Sequence, residues 1–190
     1  MAQNKDKEVS TRFMEEYDNW NKVDRQGNFW LGKTSIALRN IGLRYYDIVI
    51  DKSKILQIKN KHKEMSDNVI KAIPKILENP TLILKSQSKN KKAQKRIIVF
   101  GEIVDEIGNP VLIAIELEPY ENKKNINKIY KVASAYGKQN LSIIQTWIDN
   151  ANNILYVDKQ KNRTIKWLNG LGLQLPVPNN LSSSINSITS

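Results

Sequence analysis

The side chains best suited to proton-transfer chemistry are one histidine and a small set of acids, hydroxyls and cations. His62 is the single histidine among 190 residues, lies in the basic stretch 59–63, and the chain has no cysteine. Cleavage of RNA without a metal needs a base for the 2′-hydroxyl, an acid for the leaving oxygen, and groups that stabilise the phosphorane charge. Groups of these kinds give one candidate catalytic set: His62, Glu116, Ser134, Tyr136 and Lys138.

Each member of this set also has an ordinary structural interpretation. His62 is alone, so it can fill only one of the two proton-transfer roles, and it can instead cap its helix by donating to a carbonyl oxygen. Glu116 fits a solvated strand residue. Ser134 and Tyr136 fit the end of a strand before a turn at Gly137. Both interpretations stay open from the sequence.

The charge balance favours a polyanionic partner. The chain has 30 Lys and Arg against 19 Asp and Glu, a formal charge of +11, which attracts phosphate backbones, anionic lipid or an acidic protein. Residues 85–96 hold six basic residues and no acid, which fits a loop that grips a phosphate backbone or a solvated hairpin tip. A biased genome also produces Lys- and Asn-rich composition. The predicted nucleic-acid-binding residues are Lys59, Lys63, Lys89, Lys91, Lys92, Lys95 and Arg96.

Composition excludes several classes of function. Without cysteine there is no disulfide framework, no Cys-ligated zinc and no thiol nucleophile, and we predict no metal site and no cofactor. Residues 32–35 imitate the tail of a phosphate loop, but the upstream glycine is missing, so a nucleotide triphosphatase is rejected. No run approaches about 18 apolar residues, and the start is polar. We expect a cytoplasmic protein with no membrane contact, with packaging in a particle or delivery to a target cell as alternatives.

Apolar spacing predicts helices first and strands afterwards. Residues 5–23 carry a helical stripe, and residues 51–63 predict a helix with Ile55, Ile58 and His62 on one face. Runs rich in β-branched residues predict strands at 81–85, 96–104, 111–118, 126–136 and 154–157. The fold class is α+β: N-terminal helices followed by a mainly antiparallel four- to five-stranded sheet with C-terminal helices. We divide the chain into an N-terminal helix at 1–28, a main domain at 29–175 and a disordered tail at 176–190.

Strand alternation predicts which candidate residues share a face. Glu116 and Glu118 lie on the less apolar face of their strand. On the next strand, one face carries Tyr130, Val132, Ser134 and Tyr136. If these two faces coincide, a carboxylate and several hydroxyls line a groove on the open side of the sheet.

Several short motifs follow one another along the chain. They lie at residues 31–35, in the helix that ends at His62, and at 73–80, 108–111, 134–138 and 154–156. Over about residues 29–173 their order resembles the phage MuF C-terminal domain family, which is similar to the nuclease-like domains of the barnase, EndoU, colicin and RelE group. The resemblance implies a helix-then-antiparallel-sheet fold and a metal-independent ribonuclease of phages and polymorphic toxins. The family's histidine would correspond to His62, its Ser/Thr position to Ser134 and its basic position to Lys138.

Three hypotheses about function follow. The first is a phage- or mobile-element-derived endoribonuclease, similar to a toxin or effector, that cleaves RNA such as tRNA, has an immunity or antitoxin partner, and is toxic on expression. The second is a non-catalytic basic phage accessory module that binds nucleic acid or a protein, with binding that falls with salt and survives loss of His62. The third is a structural or inhibitory protein with aromatic anchors at Trp20, Trp30, Trp147 and Trp167.

Overall fold

The computed structural model describes residues 2–117, 120–121 and 128–176. Most of the predicted tail, residues 177–190, lies outside the described residues, as do Glu118 and the first two residues of the predicted fourth strand. The helices are α1 (Ala2–Asp18), α2 (Ile36–Asn40), α3 (Lys52–Lys61), α4 (Asp67–Lys71), α5 (Ile73–Glu78), α6 (Lys91–Gln94), α7 (Leu141–Asp149) and α8 (Lys161–Gly170). The strands are β1 (Asn28–Lys33), β2 (Asp47–Asp51), β3 (Leu82–Lys85), β4 (Arg96–Val104), β5 (Pro110–Glu116), β6 (Tyr120–Glu121), β7 (Lys128–Gly137) and β8 (Ile154–Val157).

The strands form one mixed sheet in the order β1-β2-β7-β5-β4-β3-β8, and β6 pairs with β7. Among the described strands every pairing is antiparallel except that of β2 with β7, which is parallel. The α+β class is confirmed, and the sheet is mainly antiparallel as predicted. The predicted count of four to five strands is wrong because β1 and β2, which alternate with the N-terminal helices, extend the same sheet.

Apolar side chains cover both faces of the sheet. One cluster joins α1, α3, α4 and α5 to the first face, and a second joins α7 and α8 to the other. Leu112 of β5 belongs to the second cluster and is 1% exposed. The expectation of a groove on an open side of the sheet is therefore wrong, because α7 and α8 pack on the face that carries Leu112. No helix in the described ranges has the length and apolar character needed to cross a membrane.

The alternation predicted for β7 fails at an irregular position. Tyr130 and Val132 lie in the first cluster, whereas Ala133 and Tyr136 pack against the second. The pairing of β7 with β5 shifts by one residue at this point. One step along β5, from Ala114 to Ile115, corresponds to two steps along β7, from Ser134 to Val132, as at a β-bulge. Ser134 and Tyr136 consequently share a face with each other but not with Tyr130 and Val132.

A cluster of charged and aromatic groups fixes α1 to α3 and α4. Tyr17 is fully buried, and its hydroxyl donates to the Asp67 carboxylate over 2.7 Å. The Lys59 ammonium donates to the same carboxylate, and the Lys22 ammonium lies 3.6 Å from the centroid of the Tyr17 ring. The hydrogen bond from Lys59, followed by that from Tyr17, holds the pKa of Asp67 below its ordinary value. Lys59 therefore has a structural partner inside the fold.

We expect Asp67→Asn to lower the free energy of unfolding by about 1 kcal/mol at neutral pH, because an amide accepts the hydrogen bonds without the charge. The lowered pKa of Asp67 means that its contribution is present above the unfolded pKa and is lost as pH falls through the folded pKa. Urea unfolding of both proteins checks this at neutral pH and below about pH 4. A gap between the two proteins that stays constant across that range would contradict the assignment.

Candidate active site

His62 lies directly after the last turn of α3. Ile55 and Ile58 of α3 are buried, which fixes the face of the helix that packs on the core. The His62 N–H donates to the carbonyl of Ile58 over 2.8 Å, and the His62 carbonyl accepts from the N–H of Met65 over 3.0 Å. Because the backbone of His62 closes the helix, its ring is not required for the cap.

The imidazole ring of His62 is held between two side chains. Its Nδ1 lies 3.2 Å from Oε1 of Glu64, and its plane is 13° from that of the Tyr136 ring, with the centroids 4.9 Å apart. An ionised carboxylate only accepts hydrogen bonds, so this contact places a proton on Nδ1 and leaves Nε2 as the acceptor of the neutral ring. The His62 side chain is 29% exposed and that of Glu64 is 15% exposed. This arrangement is one in which Nε2 can serve as a base.

The segment that follows His62 is joined to the turn between β4 and β5. The N–H of Glu106 donates to the carbonyl of Glu64 over 3.1 Å, and the Ser66 hydroxyl donates to the Glu106 carboxylate. These contacts hold the chain at Glu64 and at Ser66. The carboxylate that orients His62 is therefore carried by an anchored segment.

The same turn is organised by a buried carboxylate. Asp105 is 3% exposed and accepts hydrogen bonds from the N–H groups of Ile107 and Asn109, at 3.0 and 2.8 Å, and from the Asn109 side-chain amide at 2.9 Å. Gly137 of β7 packs against it so closely that a β-carbon at this position would lie 1.8 Å from Oδ2 of Asp105. Glycine at residue 137 is what lets the end of β7 approach the turn.

The end of β7 brings two further candidates to this region. Tyr136 pairs with Leu112 in the sheet, and burial raises the pKa of its hydroxyl, which keeps it protonated at neutral pH. The N–H of Lys138 donates to the carbonyl of Pro110 over 3.0 Å. Its ammonium lies 5.4 Å from the centroid of the Trp147 ring. His62, Tyr136 and Lys138 are therefore positioned at one end of the sheet.

The two other predicted catalytic residues lie further along the strands. Ser134 pairs with Ala114, one side-chain step from Tyr136 on the same face. Glu116 is four residues from the partner of Tyr136 on β5, about 13 Å along the strand. Its carboxylate accepts from Arg96 over 3.1 Å, and the two side chains are 16% and 24% exposed. The structure therefore does not bring Glu116 to His62, and the predicted set of five is divided.

The family model described as the phage MuF C-terminal domain matches residues 54–164, more than half of the 190-residue chain. The chain belongs to the phage MuF C-terminal domain family. The match begins within α3, so it includes His62, Glu64 and the end of β7. No curated protein and no solved structure matches the chain.

The predicted basic loop of this MuF domain lies away from His62. Residues 86–95 connect β3 to β4, and the first residue of β4 pairs with Glu116, at the end of β5 opposite to the turn that anchors Glu64. We name as the basic end the end of the sheet at which this loop connects β3 to β4. Lys33, Lys85, Arg96 and Lys128 lie at the strand termini of that end. Near the other end lie Glu64, Glu102, Glu106 and Asp158. The sheet therefore separates most predicted nucleic-acid contacts from the histidine.

The individual predicted contacts have different surroundings. Lys63, Lys89 and Lys91 are exposed. Lys95 is exposed, and its backbone carbonyl accepts from the N–H of Leu117 over 2.9 Å. The side chain of Lys92 lies outside the described part of the structure. Together with the ion pairs of Lys59 and Arg96, these positions show that the predicted residues do not form one continuous patch.

Two residues that matter at this site were not predicted. Glu64 follows His62 by two positions, a separation that a turn after a helix can close, and Asp105 begins the turn that contains Gly108. Within the described ranges, no group of three or more His, Asp and Glu residues is arranged to hold a metal ion. The His62 imidazole is in contact with a carboxylate and a phenol, and the Lys138 ammonium lies at the same end of the sheet.

Proposed function

We propose that this MuF C-terminal domain is a metal-independent endoribonuclease in which His62 is the proton-transfer residue. The observation that carries the proposal is the position of the imidazole. Its Nδ1 is within hydrogen-bonding distance of the Glu64 carboxylate, and its ring stacks on the Tyr136 ring. A base must present an unprotonated nitrogen in a defined direction, and these two contacts fix both the proton and the ring plane.

In the proposed reaction, Nε2 of His62 takes the proton of the RNA 2′-hydroxyl. The 2′-oxygen attacks the neighbouring phosphorus, and the bond from phosphorus to the 5′-oxygen breaks, which leaves a 2′,3′-cyclic phosphate and a 5′-hydroxyl. We assign proton donation to the leaving oxygen to the Tyr136 hydroxyl, which is protonated at neutral pH. We assign stabilisation of the phosphorane charge to Lys138. Ser134 is assigned to contact with the substrate backbone.

The biological form of this proposal is a phage- or mobile-element-derived effector that acts on cellular RNA, with tRNA as a candidate substrate and a neutralising immunity protein as a candidate partner. Induced expression in bacteria is its first test. Wild type is expected to stop growth and fragment RNA, whereas His62→Ala at equal soluble level leaves growth and RNA intact. Growth arrest by both proteins, or by neither, would contradict the assignment of His62.

Glu64 is proposed as a positioning residue, and its substitution tests the geometry of the site. We expect Glu64→Ala to lower kcat for RNA cleavage by about 100-fold because the ring is no longer aligned. Glu64→Gln retains an oxygen that accepts from Nδ1, so it recovers part of that loss, and KM is unchanged in both variants. A rise in KM with kcat unchanged would instead place Glu64 in substrate binding.

One observation favours a second function, that of a non-catalytic nucleic-acid-binding module. The basic end lies at the opposite end of the sheet from His62, so binding through it does not require the imidazole. This hypothesis predicts affinity for RNA that falls steeply with salt concentration and is equal in wild type and His62→Ala. RNA that stays intact with folded wild-type protein, together with such binding, would favour the module over the enzyme.

A further inference from the structure

An exposed aromatic side chain is surrounded by cations at the basic end. Tyr45, just before β2, is 60% exposed. The Lys33 ammonium lies 5.2 Å from the centroid of its ring, and the Arg39 guanidinium lies 5.1 Å from it. Both cations are themselves exposed. The ring is therefore accessible to solvent, and the two positive charges lie over it.

The loop that carries Tyr45 is fixed on both sides by one buried residue. Thr34 is 2% exposed; its N–H donates to the carbonyl of Tyr46 over 3.0 Å, and its hydroxyl donates to the carbonyl of Arg44 over 2.8 Å. The N–H of Arg44 also donates to the Tyr130 hydroxyl over 3.1 Å. An exposed aromatic on a fixed loop loses little conformational entropy when a ligand covers it, which favours binding.

The acid two residues after Tyr45 already has partners. Asp47 pairs with Lys33 over 3.1 Å and accepts from the Trp30 indole over 2.9 Å. Its negative charge is thus balanced within the protein, and Arg39 is left to interact with an anionic ligand. A flat ring beside cations matches a ligand that has both flat rings and negative charges, the combination that single-stranded nucleic acid offers.

We infer that Tyr45, with Arg39, is a platform on which one base of single-stranded nucleic acid stacks while a phosphate contacts the Arg39 guanidinium. Tyr45 precedes Asp47, which pairs with Ile129 on β7, and Ile129 is seven residues before Tyr136. That separation is about 23 Å along the strand. The platform is therefore distinct from the His62 site and does not depend on the proposed cleavage.

Binding of a labelled single-stranded oligodeoxyadenylate, measured by fluorescence anisotropy, tests this inference. DNA lacks the 2′-hydroxyl that the proposed reaction needs, so the result is independent of cleavage. We expect Tyr45→Ala to weaken binding by about tenfold or more, and Tyr45→Phe to bind as wild type does, because stacking needs the ring and not the hydroxyl. Arg39→Gln is expected to weaken binding. It is also expected to reduce the slope of log affinity against log salt concentration by about one.

Two controls separate stacking from general attraction. Val23→Ala removes another exposed apolar side chain, 76% exposed, and is expected to bind as wild type. An abasic oligomer with the same number of phosphates is expected to bind wild type and Tyr45→Ala equally weakly. Unchanged oligodeoxyadenylate affinity in Tyr45→Ala would overturn the inference. An oligoglutamate peptide that binds wild type as tightly as the DNA, and loses as much in Tyr45→Ala, would also overturn it, in favour of an acidic protein partner.

Discussion

His62→Ala is expected to slow RNA cleavage by about 100- to 10,000-fold, the range that a positioned general base contributes. The expectation rests on the ring contacts, since Glu64 and Tyr136 fix both the proton and the plane of the imidazole. Initial rates on a purified RNA, with wild type and variant at equal concentration, measure the loss directly.

The same substitution is expected to leave the fold intact. The helix is closed by the His62 backbone through Ile58, and the side chain is partly exposed. We therefore expect a change of about 1 kcal/mol or less in the free energy of unfolding. Lys61→Ala is the matched control, since Lys61 is an exposed residue of the same helix end and its loss leaves the ring contacts in place. Comparable losses of activity in both variants would mean that general positive charge, and not the imidazole, drives cleavage.

Gly137→Ala is expected to lower the free energy of unfolding by about 3 kcal/mol or more. The added β-carbon would lie 1.8 Å from Oδ2 and 2.5 Å from the carboxyl carbon of Asp105, so the turn must shift. Asp105 is buried and accepts three hydrogen bonds, so a shift also disturbs polar groups that have no access to water. Denaturant unfolding measures the effect.

Gly170→Ala provides the control for this comparison. A β-carbon at Gly170, the last residue of α8, would have nothing within 4 Å. We expect this variant to unfold at the same denaturant concentration as wild type, or at a slightly higher one, because alanine is the better helix former.

Because Gly137 lies between Tyr136 and Lys138, its substitution is also expected to reduce cleavage. A Gly137→Ala protein as stable as wild type would show that β7 does not approach Asp105 as described.

Local patterns in the sequence predicted much of the fold. The three consecutive strands β3, β4 and β5, the helix before His62 and the last strand all lie where apolar spacing places them. Those patterns depend only on neighbouring residues, which is why they survive in a single sequence. The parallel pairing of β2 with β7 joins residues about 80 positions apart and is determined by packing, so no local pattern reports it.

Only part of the site was predicted, because the rest of it also depends on pairing between distant residues. His62, Tyr136 and Lys138 share one end of the sheet because α3 and β7 end there. Glu116 was grouped with them on the assumption of regular alternation, but its strand position is set by pairing with Arg96 at the basic end. The register shift in β7 puts Ser134 and Tyr136 on a different face from Tyr130 and Val132, and the composition of the strand gives no sign of it. Glu64 was missed because its role comes from the turn after the helix, where its separation from His62 has no periodic signature.

The most direct measurement uses an oligonucleotide with a single ribonucleotide among deoxyribonucleotides, incubated with the protein in EDTA and examined by mass spectrometry. We expect one cut, on the 3′ side of the ribonucleotide, with a 2′,3′-cyclic phosphate on one fragment and a 5′-hydroxyl on the other. The cut is expected to be slower by about 100-fold or more with His62→Ala and absent with the all-deoxy oligonucleotide. An intact chimera with folded wild-type protein, or cleavage that is equal with His62→Ala, would contradict the assignment of His62 as the proton-transfer residue.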